Sequence, residues 1–347
     1  MVNVRRLSSL FVEGLLAAAC GSAPAPATPA EKAAVCTNQT VKLEMPVTPP
    51  NVVHIPPYIA MDMGIFKDEG LTVEIARFEG GVGAFRAMAG GSVDLAGTSS
   101  EPFITAVSQG AEVKGIYTYA PNVDVAFVVG EKIKSGADLK GKNIGIQEPG
   151  GFADVMSRLV LKKYNIAPTD VKFVTTTTAG RVTALIGGTV DTGVLHIDQV
   201  KTIAKKNPGI HKLVNMTDVV SDYQYAIFAA SNDSLKNNAT KMECLVRALI
   251  KADRMLYDTS KRQQILDIMV KYTKEDPQVV ADTYDELVAL KAWPQNEGIP
   301  QANMDGTAKS LKEGGQITTV PTFSQLVDLT LAKKIVKQLG AVKNFPY

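Results

Sequence analysis

Apolar and polar positions alternate in short blocks along most of this chain. Val41 to Val47 repeats every second residue, as a half-buried strand does, and Tyr58 to Phe66 reads as a short helix stopped near Gly64. Leu71 to Ile75 is the next strand, followed by helix 82–89, strand 93–97, helix 101–109 and strand 113–119. After an apolar strand at Val123 to Val129 the alternation restarts: strand 143–147, helix 152–164, strand 171–175, helix 180–186, strand 190–195 and a returning strand at Tyr223 to Ala230. Strands and helices in turn require mostly parallel sheets with helices on their faces. Beyond residue 230 the pattern is helical, with a stripe at Met242, Leu245, Val246, Leu249 and Leu256, an Asp276-Pro277 start signal, and a final helix from Thr322 to Leu339 ended by Gly340. These helices are expected to pack on the first lobe.

One phrase occurs twice. Ala89-Gly90-Gly91-Ser92-Val93-Asp94 and Ile186-Gly187-Gly188-Thr189-Val190-Asp191 each close an amphipathic helix with two glycines and open a strand with Val-Asp. The repeat predicts two similar α/β lobes, and the cleft between two lobes is a usual place for a small ligand. The expected division is 39–125 with 225–347 for the first lobe and 126–224 for the second.

The chain has 347 residues, 45% hydrophobic and 21% charged, enough to bury a sizeable core. A net charge of +2 with interspersed signs argues against a nucleic-acid partner. The N-terminus differs in composition. Arg5 and Arg6 precede the apolar run Leu10 to Ala19, which closes on small residues and Cys20, and this looks like a bacterial lipoprotein signal over residues 1–20 with Cys20 as the lipidation site. The Ala/Pro/Ser-rich stretch behind it predicts a flexible tether over 21–38, so the expected location is extracytoplasmic, anchored to the membrane by lipid alone. Cys36 and Cys244 remain open between a disulfide and two free thiols, because sequence does not give their distance. The three histidines, His54, His196 and His211, are scattered without zinc spacing, so neither metal nor cofactor is expected.

Several ordered phrases resemble a known family: Pro57-Tyr58-Ile59-Ala60, Gly64 to Val73, Gly90 to Asp94, Gly110 to Lys114, Asp138 to Gly145, and Trp293-Pro294. Together, from about Val41 to near Val320, they resemble the solute-binding proteins of ABC importers for sulfonates, nitrate, taurine and thiamine-precursor pyrimidines. The resemblance implies the type II periplasmic-binding-protein fold, with two α/β lobes joined by two crossing strands. It further implies a monomer that closes on a small solute and delivers it to a membrane permease.

Ligands of open α/β sheets sit beyond the carboxyl ends of the strands. The loops at that address carry Asn51 and His54; Glu79, Gly80 and Gly81; Thr98, Ser99 and Ser100; Gln147, Glu148, Gly151, Phe152 and Asp154; Thr177; His196 and Asp198; and Tyr223, with Tyr225 as its alternative. Gly150-Gly151 leaves helix N–H groups unobstructed, and Phe152 offers a flat face to a ring. Arg181 would anchor an anion, although a solvated surface position is the commoner fate of an arginine at a helix start. The carboxylates Glu79, Glu101, Glu148 and Asp198 disfavour a simple anion by like-charge repulsion, so a heterocyclic vitamin or precursor such as riboflavin, thiamine or a pyrimidine is the favoured solute. Sulfonate, taurine or nitrate is the alternative.

Readings of another class are a ligand sensor and an enzyme on the same fold. The chain lacks the CCCFC motif of the fungal-type pyrimidine synthases that resemble the family. The menaquinone-pathway enzymes on this fold are cytosolic, which an export signal contradicts. No Ser/His/Asp order or phosphate loop is present.

Overall fold

The computed structural model describes residues 33–346 except 46, 48 and 79. The signal segment, Cys20 and most of the expected tether lie outside the described residues, as does Glu79. The strands are β1 (Gln39–Met45), β2 (Leu71–Arg77), β3 (Leu95–Ser99), β4 (Val113–Tyr117), β5 (Val125–Val129), β6 (Asn143–Ile146), β7 (Lys172–Thr175), β8 (Thr192–His196), β9 (His211–Asn215) and β10 (Ala226–Ser231). They form two five-stranded sheets, ordered β2-β1-β3-β10-β4 and β7-β6-β8-β5-β9. In the first, β1 runs parallel to β2 and β3 while β10 is antiparallel to both its neighbours. The second repeats that arrangement, with β5 in the place of β10.

The two sheets exchange a strand. β5 leaves the first lobe to complete the second sheet, and β10 returns to complete the first. The crossing segments run side by side, with Tyr225 N–H and Ala226 N–H donating to the carbonyls of Pro121 and Ala120 at 3.3 and 3.0 Å.

The repeated phrase does the same work in each lobe. Gly91 and Gly188 take φ of 73° and 71°, the left-handed region where a side chain is strained. Ser92 N–H then closes on Ala87 at 2.8 Å and Thr189 N–H on Ala184 at 2.9 Å, satisfying carbonyls at the helix end. The carboxylate of Asp94 accepts the Lys42 N–H of β1, and that of Asp191 accepts the Asn143 N–H at the start of β6, both at 2.8 Å. The Val-Asp signature is thus a clamp that sets the register of one parallel strand against the next.

Several elements differ from the sequence reading. The helix expected over Tyr58 to Phe66 is two, Pro56–Asp62 and Ile65–Asp68, separated at Gly64 with φ 76°. The final helix is also broken, into Phe323–Leu326 and Thr330–Leu339, because Val327 extends to bridge Gly115 of β4. A helix Ile197–Lys206 and strand β9 were not anticipated; Pro208-Gly209 masks the short, weakly alternating β9.

The main hydrophobic cluster fills the first lobe and reaches under the second sheet, with a smaller cluster around Val182, Leu185, Leu195 and Ile203 on the other face. Trp293 is fully buried and its indole N–H donates to the Val53 carbonyl at 3.0 Å, tying the C-terminal region to the loop after β1. Helix Ala239–Met255 packs on helices Pro56–Asp62 and Thr330–Leu339. Cys36 and Cys244 form a disulfide. Beside it, Ala34 N–H donates to Glu243 at 2.9 Å, and Arg247 reaches the Ala34 carbonyl at 2.6 Å and Glu69 at 2.7 Å. Residues 34–36, assigned from sequence to the flexible tether, are held against this helix.

Candidate functional site

Four helices point their N-termini at the gap between the lobes: Gly81–Ala89 and Ser100–Ser108 from the first, Phe152–Lys163 and Ile197–Lys206 from the second. Each begins where a strand of its lobe ends, so the alternation of elements alone gathers their partial positive charge at one place. The gap is lined by Val47, His54, Gly80, Gly81, Ser99, Gln147, Glu148, Gly151, Phe152, His196 and Tyr225. Its volume is about 30 Å³, room for roughly two water molecules.

A hydrogen-bonded chain crosses this gap. His54 Nε2 lies 2.8 Å from the Tyr225 hydroxyl, that hydroxyl lies 3.3 Å from His196 Nε2, and His196 Nδ1 lies 2.7 Å from Asp124. His196 Nδ1–H donates to the Asp124 carboxylate, and the Tyr225 hydroxyl bridges the Nε2 atoms of the two histidines. Burial, reinforced by His196, holds His54 well below the usual histidine range, so it is neutral. Phe152 leans on Tyr225 at 4.5 Å between ring centres and lies nearly parallel to His196 at 6.2 Å.

The lobes also touch each other directly. Asp198, in the first turn of helix Ile197–Lys206, accepts the Asn51 amide at 3.1 Å and the Val52 N–H at 2.9 Å, both from the first lobe. Burial pushes its carboxyl above the usual aspartate range, while His196 and these donors oppose that shift. Glu148, from the second lobe, accepts the Val82 N–H at 2.9 Å. Gly80 permits that approach, since a β-carbon there would collide with the Glu148 carboxylate. Further out, Thr202 donates to Glu275 at 2.6 Å and Lys201 pairs with Glu286 at 2.7 Å. The structure is therefore a closed arrangement.

Nine of the residues singled out from sequence line the gap: His54, Gly80, Gly81, Ser99, Gln147, Glu148, Gly151, Phe152 and His196. The others are placed elsewhere. Asn51 and Asp198 bind each other. Thr98 donates to the Gly81 carbonyl at 3.0 Å, Ser100 to that of Gln224, and Thr177 caps its helix through Gly180 N–H at 2.9 Å. Asp154 caps Gly150 N–H and pairs with Arg158, both at 2.8 Å. Tyr223 donates to Glu101 at 2.7 Å, leaving Tyr225 as the tyrosine in the gap. Asp124 was not anticipated, although a lone carboxylate beside the apolar run Val125 to Val129 was a readable signal.

Arg181 is neither on the rim nor exposed. It is buried under the second sheet, donating to the Val194 carbonyl at 2.6 Å, with its stem against Gly145 and Gly193. No lysine or arginine lines the gap among the described residues. The like-charge argument against an anion weakens as well, because burial raises Glu101 to about 7 and pushes the carboxyls of Glu148 and Asp198 upward, toward the neutral form. Glu101 holds its proton more tightly folded than unfolded, so it should lower stability progressively as pH rises from about 4.5 to about 7, by up to ~3 kcal/mol. Denaturation of the wild-type protein and Glu101→Gln across that range checks this, since the variant should lack that part of the slope.

The sequence model of the NMT1/THI5-like family matches residues 51–260. YtlA of Bacillus subtilis (strain 168) is 23% identical over 294 residues, covering 83% of this chain and 88% of its own. Among solved structures, the periplasmic nitrate-binding protein NrtA of Synechocystis PCC 6803 matches with a TM-score of 0.70 at 14% identity, covering 88% of this chain and 90% of its own. The periplasmic aliphatic sulphonate binding protein SsuA of Escherichia coli matches with a TM-score of 0.62 at 18% identity, covering 84% and 92%. These structural likenesses establish a periplasmic-binding-protein fold.

Proposed function

Because the chain belongs to the NMT1/THI5-like family, we propose that it is the extracytoplasmic solute-binding component of an ABC importer, which captures a small organic solute between its lobes and hands it to a permease. In this reading Cys20 carries the lipid anchor and the protein acts as a monomer, binding without turnover. The observation that carries it is the convergence of four helix N-termini from both lobes on one gap. Only the closed state offers both sets of contacts to one solute, so binding shifts the open–closed equilibrium.

The same observation favours a compact solute bearing an anionic group over the vitamin expected from sequence. Helix N-termini and neutral donors attract an anion without needing a basic side chain. The gap of about 30 Å³ is far below the ~300 Å³ or more of sites for larger organic ligands. The names of the structural relatives for nitrate and aliphatic sulphonate are in keeping with this. One observation favours the heterocycle instead: Phe152, Tyr225 and His196 form an aromatic cluster that a flat ring would enter if Phe152 moved aside.

Calorimetry against nitrate, alkanesulfonates, aminopyrimidine, thiamine and riboflavin separates the two, together with native mass spectrometry of any solute retained from expression. Saturable one-to-one binding of a sulfonate or nitrate is the expected result. Failure of every member to bind, or chemical conversion of a bound member, would overturn the proposal.

A further inference from the structure

Behind the first-lobe wall of the gap lies a group of polar atoms that the fold does not satisfy. Both carboxyl oxygens of Glu44, the penultimate residue of β1, are buried without a hydrogen-bond partner among the described residues, and so are the hydroxyls of Tyr58 and Tyr119 and Nδ1 of His54. All four side chains are at least nine-tenths buried. They are also neighbours. Glu44 acts electrostatically on both tyrosines, Tyr58 acts on Tyr119, and the His54 ring lies 5.5 Å from that of Tyr119. Folded proteins leave few buried polar atoms unpaired, so several in one place call for a partner.

We propose that Glu44, Tyr58, Tyr119 and His54 form a subsite for a protonated amine or amidine carried by the solute, reached from the cleft when the lobes part. The proposal rests on the solute-binding reading above and adds a chemical requirement to it. The Glu44 carboxyl and the two tyrosine hydroxyls can each accept a hydrogen bond. A cation with several N–H groups satisfies such a set at once and supplies a countercharge to the carboxylate. Among the described residues no buried cation supplies that countercharge: burial pushes the Glu44 carboxyl well above the usual glutamate range, and Arg77 is exposed at the end of β2. His54 links the two places, since it lines the gap and packs on Tyr119. A solute held with its anionic end toward the helix N-termini would thus extend its cationic end toward Glu44.

The test uses matched pairs: 3-aminopropanesulfonate against propanesulfonate, and 4-aminopyrimidine against pyrimidine, titrated calorimetrically. In the wild-type protein the amine-bearing member of the pair that binds should be tighter by about tenfold or more, the usual weight of a charge-assisted contact in a desolvated site. Glu44→Gln should bring the two members of that pair within about twofold of each other while leaving the amine-free affinity unchanged. Tyr119→Phe, which keeps the ring packing, should narrow the ratio without loss of fold. Equal affinities in the wild-type protein, or a ratio that survives both substitutions, overturns the subsite alone. Absence of binding by either member of both pairs overturns the subsite, and the cleft reading falls with it only if nitrate, thiamine and riboflavin also fail to bind.

Discussion

Replacing Asp198 by alanine is expected to loosen the closed arrangement and weaken solute affinity by about ten- to a hundredfold. One carboxylate holds the second lobe to the first through the Asn51 amide and the Val52 N–H. A hydrogen bond to a charged group contributes about 1.5–3 kcal/mol, and these bonds exist only with the lobes together, so their loss falls on the closed state. Apparent affinity then drops in proportion to the fraction of molecules able to close. Asn51→Ala should cost less, because the Val52 N–H keeps its acceptor. Small-angle scattering of the unliganded protein should show a larger radius of gyration for Asp198→Ala, alongside the weaker affinity by calorimetry. An unchanged scattering profile with unchanged affinity would show that closure does not depend on this clasp.

Removal of the disulfide is the second large effect. Joining residues 208 positions apart shortens the unfolded chain's freedom, and the chain-entropy relation gives an upper figure of about 5 kcal/mol for a loop of that size. The double variant Cys36→Ser/Cys244→Ser should therefore lose about 2–5 kcal/mol in denaturant titrations, and reductant should do the same to the wild-type protein. The remaining ties of Ala34 to Glu243 and Arg247 keep the segment partly in place. Solute affinity should not change, since neither cysteine lines the cleft. A midpoint indifferent to reductant would mean that the bridge contributes nothing to stability.

The lobes were legible because local chemistry demands them. Glycine at a left-handed helix end followed by an aspartate that clamps a neighbouring strand is a requirement of backbone geometry, and it leaves the same trace twice. The gap was half legible for a related reason: strand ends and helix starts are local features, so His54, Ser99, Phe152 and His196 could be placed at one address. What a side chain meets there is not local. Asn51 and Asp198 both look like ligand contacts until the lobes bring them together. Arg181 looks like a surface cation until Gly145 and Gly193 are seen to leave room for its stem. Glu44 was unremarked because one acidic residue in an alternating strand reads as solvent-facing, and its complete burial is set by tertiary packing that the strand pattern does not record.

The exchanged strands also set an order of maturation for a chain emerging from its N-terminus. β5 to β9 are contiguous, so the second sheet has all its strands once Asn215 has appeared. The first sheet waits for β10, and the bridge from Cys36 waits longer still, for Cys244. The half that begins the sequence is thus the last to be finished, and until then its incomplete sheet edge is exposed to mispairing.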